Sequence, residues 1–563
     1  MSCPPTQFCN DPSPARGKHI LTSPKQLARW RSGGQKARLA LVVCAMCLSG
    51  PTPLQAQSPA PQASAAPNLQ LPMLGDGSEL SSSAERRLGD RIAREIYRDP
   101  DYIDDPVLVE YVQAIWQPLL AAARARGDLS AELDERFSWE IMLGRDRSVN
   151  AFALPGGYFG LHLGLIAVVS NRDELASVLG HELSHVTQRH ISRLMSKQAQ
   201  QAPWMLGAMI LGALAASKSA DAGGALIVGG QAVAAQNQLN FSRDMEREAD
   251  RIGYGVMTQA GFEPQGFVSM FDKLQQASRL NDNGAYPYLR SHPLTTERIA
   301  DMQSRQPLGA ATPAGALTDA EHAMISARAR VMSNPGADAL HATVAEAQGL
   351  QMASLTPARQ AGVLYGAALA ASRLRDFASA RALLVRLTQG LRLEPPAARL
   401  ARLLALEGAL AAGEDMGAAA LLKAMESAPT EGVTGNALPQ RRPELFLSAQ
   451  LALQAGPLLR VSDVAQRLQV WVLAHPHDAQ AWQLLSSASA AQGQTLRAIR
   501  ADAEAQMARL DYAPAQERFK AAQELSRQAR SATAAAADHI DASIIDSRRR
   551  QVELLIKEQS LER

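Results

Sequence analysis

The stretch VLGHELSHVTQRH (Val178 to His190) limits what this 563-residue chain can fold into more than any other. Positions i and i+4 of an α-helix share a face, so His181 and His185 can aim two imidazoles at one point with Glu182 beside them. A catalytic zinc ion takes three protein ligands and keeps one position open, so two histidines on one helix are not enough. The fold must bring a third ligand to this helix. EREAD offers Glu246, 61 residues after His185, on what reads as a second helix, with Asp250 one turn further along. This predicts His181, His185 and Glu246 as a His-His-Glu set, with Asp250 placed to accept the outer N–H of a ligand histidine. Glu248 falls on another face and is expected to be solvated. Of the other histidines, His190 reads as a solvent-side or helix-end residue, His162 as a strand residue, and His475 and His477 as loop residues; none is assigned to the metal.

Cysteine cannot contribute a ligand in the folded body, because Cys3, Cys9, Cys44 and Cys47 all lie near the start and none follows. The last two sit in an apolar run, LALVVCAMCL (Leu39 to Leu48). Arg29, Arg31, Lys36 and Arg38 precede it; Gly50, Pro51, Pro53 and Leu54-Gln55-Ala56 follow. That is the layout of a secretory signal peptide cleaved after Ala56, and the run is short for a membrane span. Residues 1–56 therefore read as a signal peptide, its long forward extension (1–28) matching an upstream start-site misassignment. A net charge of +2, dispersed along the chain, gives no basic surface for nucleic acid. Few aromatics and abundant alanine favour helix.

Residues 57–83, rich in Pro, Ser, Ala and Gln, read as a disordered linker, and residues 84–306 as one α+β domain. Two helices, AERRLGDRIAREIYRD and PVLVEYVQAIWQPLLAAARARG, lead into FSWEIML and NAFALPGGYFGLHLGLI, where Pro155, Gly156 and Gly157 turn the chain between two extended pieces. The motif helix is expected to open on Ser170 with Asp173 and to run to about Lys197. Pro203 to Ser217 and Gly223 to Gln236 are apolar but short for a bilayer; a buried hairpin and a surface dipping into a membrane both fit. SRDMEREADRIGYGVMTQ is the second ligand helix, and RSHPLTTERIADMQS closes the domain. Residues 307–317 read as a linker, after which Thr318 and Glu321 offer a capping box. From 318 to 563 helix follows helix. Around Trp482 the placing of Pro476, Leu485, Ala498 and Ala505 matches a tetratricopeptide repeat, with a weaker register at RDFASARALL, and stacked helix pairs expose a concave docking face. The fold class is mainly α: an α+β domain with a small β-sheet, then an α-helical tetratricopeptide-like repeat domain.

HELSH, the Glu-x-x-Ala-Asp helix, NAFALPGG before them and SHP after them together resemble the HtpX-type zinc metallopeptidases. With a signal peptide in front and repeat-like helices behind, the chain is more closely similar to the periplasmic β-barrel assembly-enhancing proteases of that family, from about residue 70 onward. The resemblance implies one zinc ion per chain held by His181, His185 and Glu246, with Glu182 as general base and Asp250 supporting a ligand. It implies that Asn150, Ala151, Phe152 and Ala153 form the substrate-binding edge and that His292 of SHP lies close to the metal. Zinc would polarise the scissile carbonyl and acidify water, and Glu182 would take the water's proton and pass it to the leaving amine. An open sheet edge beside the motif helix would let an extended peptide add as a strand.

The same resemblance implies a periplasmic endopeptidase with a chaperone side. Its clients would be unfolded or misassembled outer-membrane β-barrel proteins, and its partner the machinery that inserts them. His292 has two readings of opposite sign: it steadies the oxyanion, or it takes the fourth metal position and keeps the enzyme latent. Two other readings of the whole chain stay open. One is a protein-binding chaperone or scaffold with a latent zinc site. The other is a heat-shock-type membrane protease, which needs Pro203 to Gln236 to insert in lipid; a peripheral membrane contact is a separate expectation.

Overall fold

The computed structural model describes residues 80–197, 242–279, 285–306, 319–426, 441–455, 459–529 and 536–561. The expected signal peptide, all four cysteines, most of the 57–83 linker, the apolar stretches within 203–236, the 307–317 linker and Thr318 lie outside these residues.

Two helices come first, where apolar spacing predicts them. The Ser81 side chain accepts from the Ala84 N–H to start α1 (Ser82–Arg98), and Asp105 accepts from Leu108 to start α2 (Pro106–Arg126). Proline at the first position of α2 sacrifices no hydrogen bond, and Gly127 ends the helix at φ 76°. A short helix, α3 (Ala131–Arg136), lies between them and the main strands. Strands β1 (Tyr102–Ile103), β2 (Glu140–Gly144), β3 (Ala151–Leu154) and β4 (Tyr158–His162) form one sheet in the order β1–β2–β4–β3. β2 and β4 run parallel; the other neighbours are antiparallel. β3 is thus an edge strand, with Ala153 opposite Phe159 of β4. The turn between them sets Gly156 and Gly157 at φ 75° and 79°, a region open to glycine. The extended piece expected to run on through LGLI instead becomes α4 (Leu163–Val168). Leu163 to Ile166 are all buried, so the run has no polar face to mark a period of two, and apolar residues alone do not separate a buried strand from a buried helix.

The motif lies on α5 (Arg172–Thr187). Its cap is Asn171, accepting from the Glu174 N–H, where Ser170 was expected; the Ser170 N–H instead donates to Glu174 Oε2 at 2.7 Å. The helix also ends sooner than Lys197. Gln188 and Arg189 interrupt it, Arg189 at φ 52°, and α6 (His190–Lys197) restarts in a new direction. α7 (Arg243–Gln259), capped by Ser242, crosses α5 with Gly253 against Gly180. A Cβ on Gly253 would stand 2.9 Å from the Gly180 carbonyl carbon and from the His181 nitrogen, closer than such atoms approach. α8 (Gln265–Arg279), α9 (Tyr288–Ser291) and α10 (Thr296–Ser304) complete this half.

From Asp319 onward the described residues form twelve α-helices, α11 (Ala320–Ser333) to α22 (Ala536–Leu561). Asp319 caps α11, its carboxylate accepting from the His322 N–H, and the Thr318 of the expected capping box lies outside the described residues. α19 (Ala479–Ala491) and α20 (Thr495–Ala508) pack as neighbours, with Trp482, Leu485 and Ala505 in one buried cluster.

Among the described residues this helical half meets the first at several places, α11 against α4 included, where Ser326 Oγ donates to the Ala167 carbonyl at 2.9 Å, and two further interfaces join more distant segments. At the start of α2, three arginines each join an acid of the N-terminal half to an acid of the helical half. Arg328 of α11 lies 2.7 Å from Asp105 and 2.9 Å from Glu407 of α15 (Pro395–Ala412). Arg399 of α15 lies 2.6 Å from both Glu110 and Glu444. Arg442, first residue of α17 (Arg442–Ala455), lies 2.7 Å from Asp104 and 2.8 Å from Asp478. At the second interface Leu88, Ile92, Met142 and Tyr158 share a core with Tyr512 and Phe519 of α21 (Tyr512–Ala529) and with Ile545 and Val552 of α22.

Arg328 and Asp105 are both buried. Burial alone would raise the Asp105 carboxyl, but the Arg328 guanidinium and the Leu108 N–H outweigh it and hold it below the usual carboxylate range. A depressed folded pKa means that this stabilisation is present above the unfolded value near ~4 and is lost as pH falls through the lower folded value. Arg328→Leu strands two acids in a dry interface and should cost about 3–5 kcal/mol in denaturant unfolding at pH 7, the gap to wild type narrowing below pH ~4. Arg330→Leu, which removes only an exposed pair with Glu346, should cost under about 1 kcal/mol.

Candidate metal centre and active site

The motif helix is buried from Glu174 to Thr187, so both histidines and Glu182 lie in the interior. His181 Nδ1 stands 2.9 Å from Asp250 Oδ1, and His185 Nδ1 stands 2.9 Å from His190 Nδ1. With each Nδ1 engaged, the two Nε2 atoms face one another 3.0 Å apart. Glu246 reaches both: Oε2 is 3.5 Å from His181 Nε2, and Oε1 is 3.5 Å from His185 Nε2. Donors about 2 Å from one ion at tetrahedral corners stand about 3.3 Å from each other, which the observed 3.0–3.5 Å brackets. Two imidazole lone pairs pointed at each other in a dry pocket repel, and a shared cation removes the conflict. The residues present therefore fit zinc in number, type and spacing.

His292 completes the group. Its Nδ1 is 3.3 Å from His181 Nε2 and 3.1 Å from Glu246 Oε1, its Nε2 is 3.4 Å from Glu182 Oε1, and its ring stacks on Tyr288. His181, His185, Glu246 and His292 each offer a ligand atom within 4.8 Å of the others, and all four are buried. Glu182 Oε2 accepts the Ala153 N–H at 2.9 Å, which ties edge strand β3 to the motif helix. The other residues of the expected substrate edge contact the site less directly. Phe152 turns toward the His162 ring, Ala151 is buried, and the Asn150 carbonyl accepts the His162 N–H at 3.0 Å.

Arg298 holds the acids in place. Its Nε and Nη2 donate to the two oxygens of Asp250 at 2.6 and 2.7 Å, while Nη1 lies 2.8 Å from Glu246 Oε2 and donates to the Pro293 carbonyl at 2.8 Å. Burial opposes a charge on His181, yet the Asp250 and Glu246 carboxylates lift it to about 9. Burial and the neighbouring His181 push His185 well below its ordinary value. Burial raises the Glu182 carboxyl against the pull of His292 and His181, whereas in Glu246 the attraction of His292 and His181 overcomes burial and lowers it well below the carboxylate range. The cluster thus keeps Glu246 ionised and His185 neutral, the forms a metal requires, whereas His181 holds a proton that a cation bound between the two rings would displace.

Two sequence expectations need correction. His190 stands at a helix end, as the first residue of α6, but not on the solvent side: it is fully buried, because the positive φ at Arg189 turns the chain so that its ring meets His185. Glu248 is not simply solvated; its Oε2 lies 3.0 Å from His190 Nε2 and 3.0 Å from Arg193 Nη1. Arg298 and Tyr288 escaped the sequence reading altogether. The one local signal for Arg298 is a cation shortly after SHP, and an arginine so placed is as often exposed.

Residues 110–306 match the profile described as peptidase family M48. A beta-barrel assembly-enhancing protease of Yersinia pestis is 30% identical over 425 residues, which cover 75% of this chain and 81% of the relative. The chain belongs to peptidase family M48. A beta-barrel assembly-enhancing protease of Escherichia coli is 31% identical over 55% of this chain, and the alignment spans 61% of that relative's length. The mitochondrial metalloendopeptidase OMA1 of Saccharomyces cerevisiae is 28% identical over 201 residues, 35% of this chain and 55% of the relative. The first two alignments run longer than the matched peptidase region, and the buried cluster is consistent with an M48 zinc site.

The Gly180–Gly253 crossing sets the distance between the histidine helix and the glutamate helix. Gly253→Ala must push α7 outward, at a cost of about 1–3 kcal/mol, and should lower the zinc content of purified protein measured by atomic emission. Gly261→Ala, with open space where the Cβ would go, strains only its own backbone and should leave zinc content unchanged.

Proposed function

We propose that this chain is an exported zinc endopeptidase, held latent by His292, that acts on unfolded or misassembled outer-membrane β-barrel proteins in the periplasm. Residues 84–306 are the catalytic half, and residues 318–563 the tetratricopeptide-like half that receives clients and the assembly machinery. One zinc ion per chain is held by His181, His185 and Glu246. The carrying observation is the pair of inward Nε2 atoms with Glu246 across both. The client class is supported by the name of the relatives, beta-barrel assembly-enhancing protease.

Zinc in this site would polarise the scissile carbonyl and acidify a water molecule. The chain's own groups do the rest. An extended client segment adds along the outer edge of β3 at Asn150–Ala153, where main-chain hydrogen bonds fix its register and the Ala153 N–H is shared with Glu182. Glu182 removes a proton from water as its oxygen bonds to the carbonyl carbon, then passes that proton to the departing amide nitrogen as the C–N bond breaks. Asp250, anchored by Arg298, orients His181. For His292 the latent reading is the better supported, because its Nδ1 lies within the donor set and its ring is shut in against Tyr288.

Glu182→Gln should bind zinc as wild type does yet lose at least about 10³-fold in cleavage of an unfolded outer-membrane barrel protein, followed by gel and metal analysis together. His292→Ala should keep zinc and cleave faster than wild type. Slower cleavage by that variant would assign His292 to the oxyanion instead, and binding of the client without any chelator-sensitive cleavage would favour the scaffold reading.

A further inference from the structure

We propose that His190 is a positioning residue for His185, linking its outer nitrogen to Glu248 across one intervening imidazole. The proposal rests on the zinc reading above. His190 is fully buried, and its two nitrogens have different partners: Nδ1 lies 2.9 Å from His185 Nδ1, and Nε2 lies 3.0 Å from Glu248 Oε2. One tautomer assignment satisfies both contacts and leaves His185 Nε2 bare. The His185 Nδ1–H donates to His190 Nδ1, and the His190 Nε2–H donates to Glu248. The reverse assignment, with a proton on His190 Nδ1, leaves a neutral His185 protonated on Nε2 and unable to bind metal.

The two ligand histidines are therefore backed differently. His181 leans directly on a carboxylate, Asp250, which Arg298 neutralises with two hydrogen bonds. The space near His185 already holds Glu246, and a further buried carboxylate there would carry an uncompensated charge. An imidazole spacer passes on the polarisation while the acid stays at the half-buried Glu248, which Arg193 pairs. The backbone is bent to achieve this. Arg189 adopts φ 52°, costly for a non-glycine residue, and its Nη2 holds the bend through Glu85 Oε2 at 3.2 Å and Ser192 Oγ at 3.1 Å.

The test uses the full chain and zinc itself, with affinity read by competition against a chromophoric chelator and with the absorption spectrum of the cobalt(II)-substituted protein as a second readout. His190→Phe fills the space without accepting a hydrogen bond and should weaken zinc binding about 10–100-fold with an altered cobalt spectrum. His190→Asn restores an acceptor opposite His185 Nδ1 and should recover most of that loss. Glu248→Ala, at a half-buried position where folding is not at stake, should weaken zinc severalfold. Unchanged affinity in His190→Phe or in Glu248→Ala overturns the proposal, as does equal weakening by Phe and Asn, which would mark His190 as packing alone. Absence of zinc binding by the wild type would instead overturn the metal reading on which it rests.

Discussion

How near α7 can come to α5 decides whether this molecule has a metal centre. Backbone meets backbone at Gly180 and Gly253, and helical periodicity does the rest. His181 follows Gly180 directly, while Asp250 and Glu246 stand three and seven residues before Gly253, so both acids share the face turned to the histidines. Residues three and seven apart on a helix line one stripe, which explains why EREAD can bring Glu246 and Asp250 to the histidines together. Three buried carboxylates in so small a volume are tolerable because each has a donor. Arg298 serves Asp250 and Glu246, and the Ala153 amide serves Glu182.

Much of this was legible in the residues. The four-residue interval from His181 to His185 and the acid pair of EREAD are properties of single helices, and local periodicity reports such features well. The β3–β4 turn was likewise marked by Pro155-Gly156-Gly157. The misreadings share a cause. Asn171 displaced Ser170 as cap because neighbouring polar side chains compete for the same amide, and the choice is made by where the chain enters the helix. LGLI hides its helix because it is buried along its length and shows no polar face from which a period could be read. His190 looked like a surface residue because a helix continued through Gln188 would have carried it away from His185. A single positive φ, which no sequence pattern at arginine announces, brings it back.

The helical half is fastened by electrostatics of an unusual regularity. Three guanidiniums drawn from α11, α15 and α17 each bridge an acid of their own half and an acid at or just before the start of α2. α2 in turn packs on α5 and α7, so the helix that receives the arginines also supports the helices that carry the histidine–glutamate cluster. Buried pairs of this kind add little net stability, but breaking one leaves an uncompensated charge, and they therefore hold one orientation in preference to others.

The core shared by Leu88, Ile92, Met142 and Tyr158 with Phe519, Ile545 and Val552 joins stretches separated by most of the polypeptide. Contacts between such remote segments carry a loop-closure cost that local helices escape, so they form late in folding. During synthesis the rear of the sheet therefore waits, bare, for helices still to be translated. A peptidase assembled in that order reaches maturity as one unit, and the sheet beside its motif helix gains full support only once the C-terminal helices are in place.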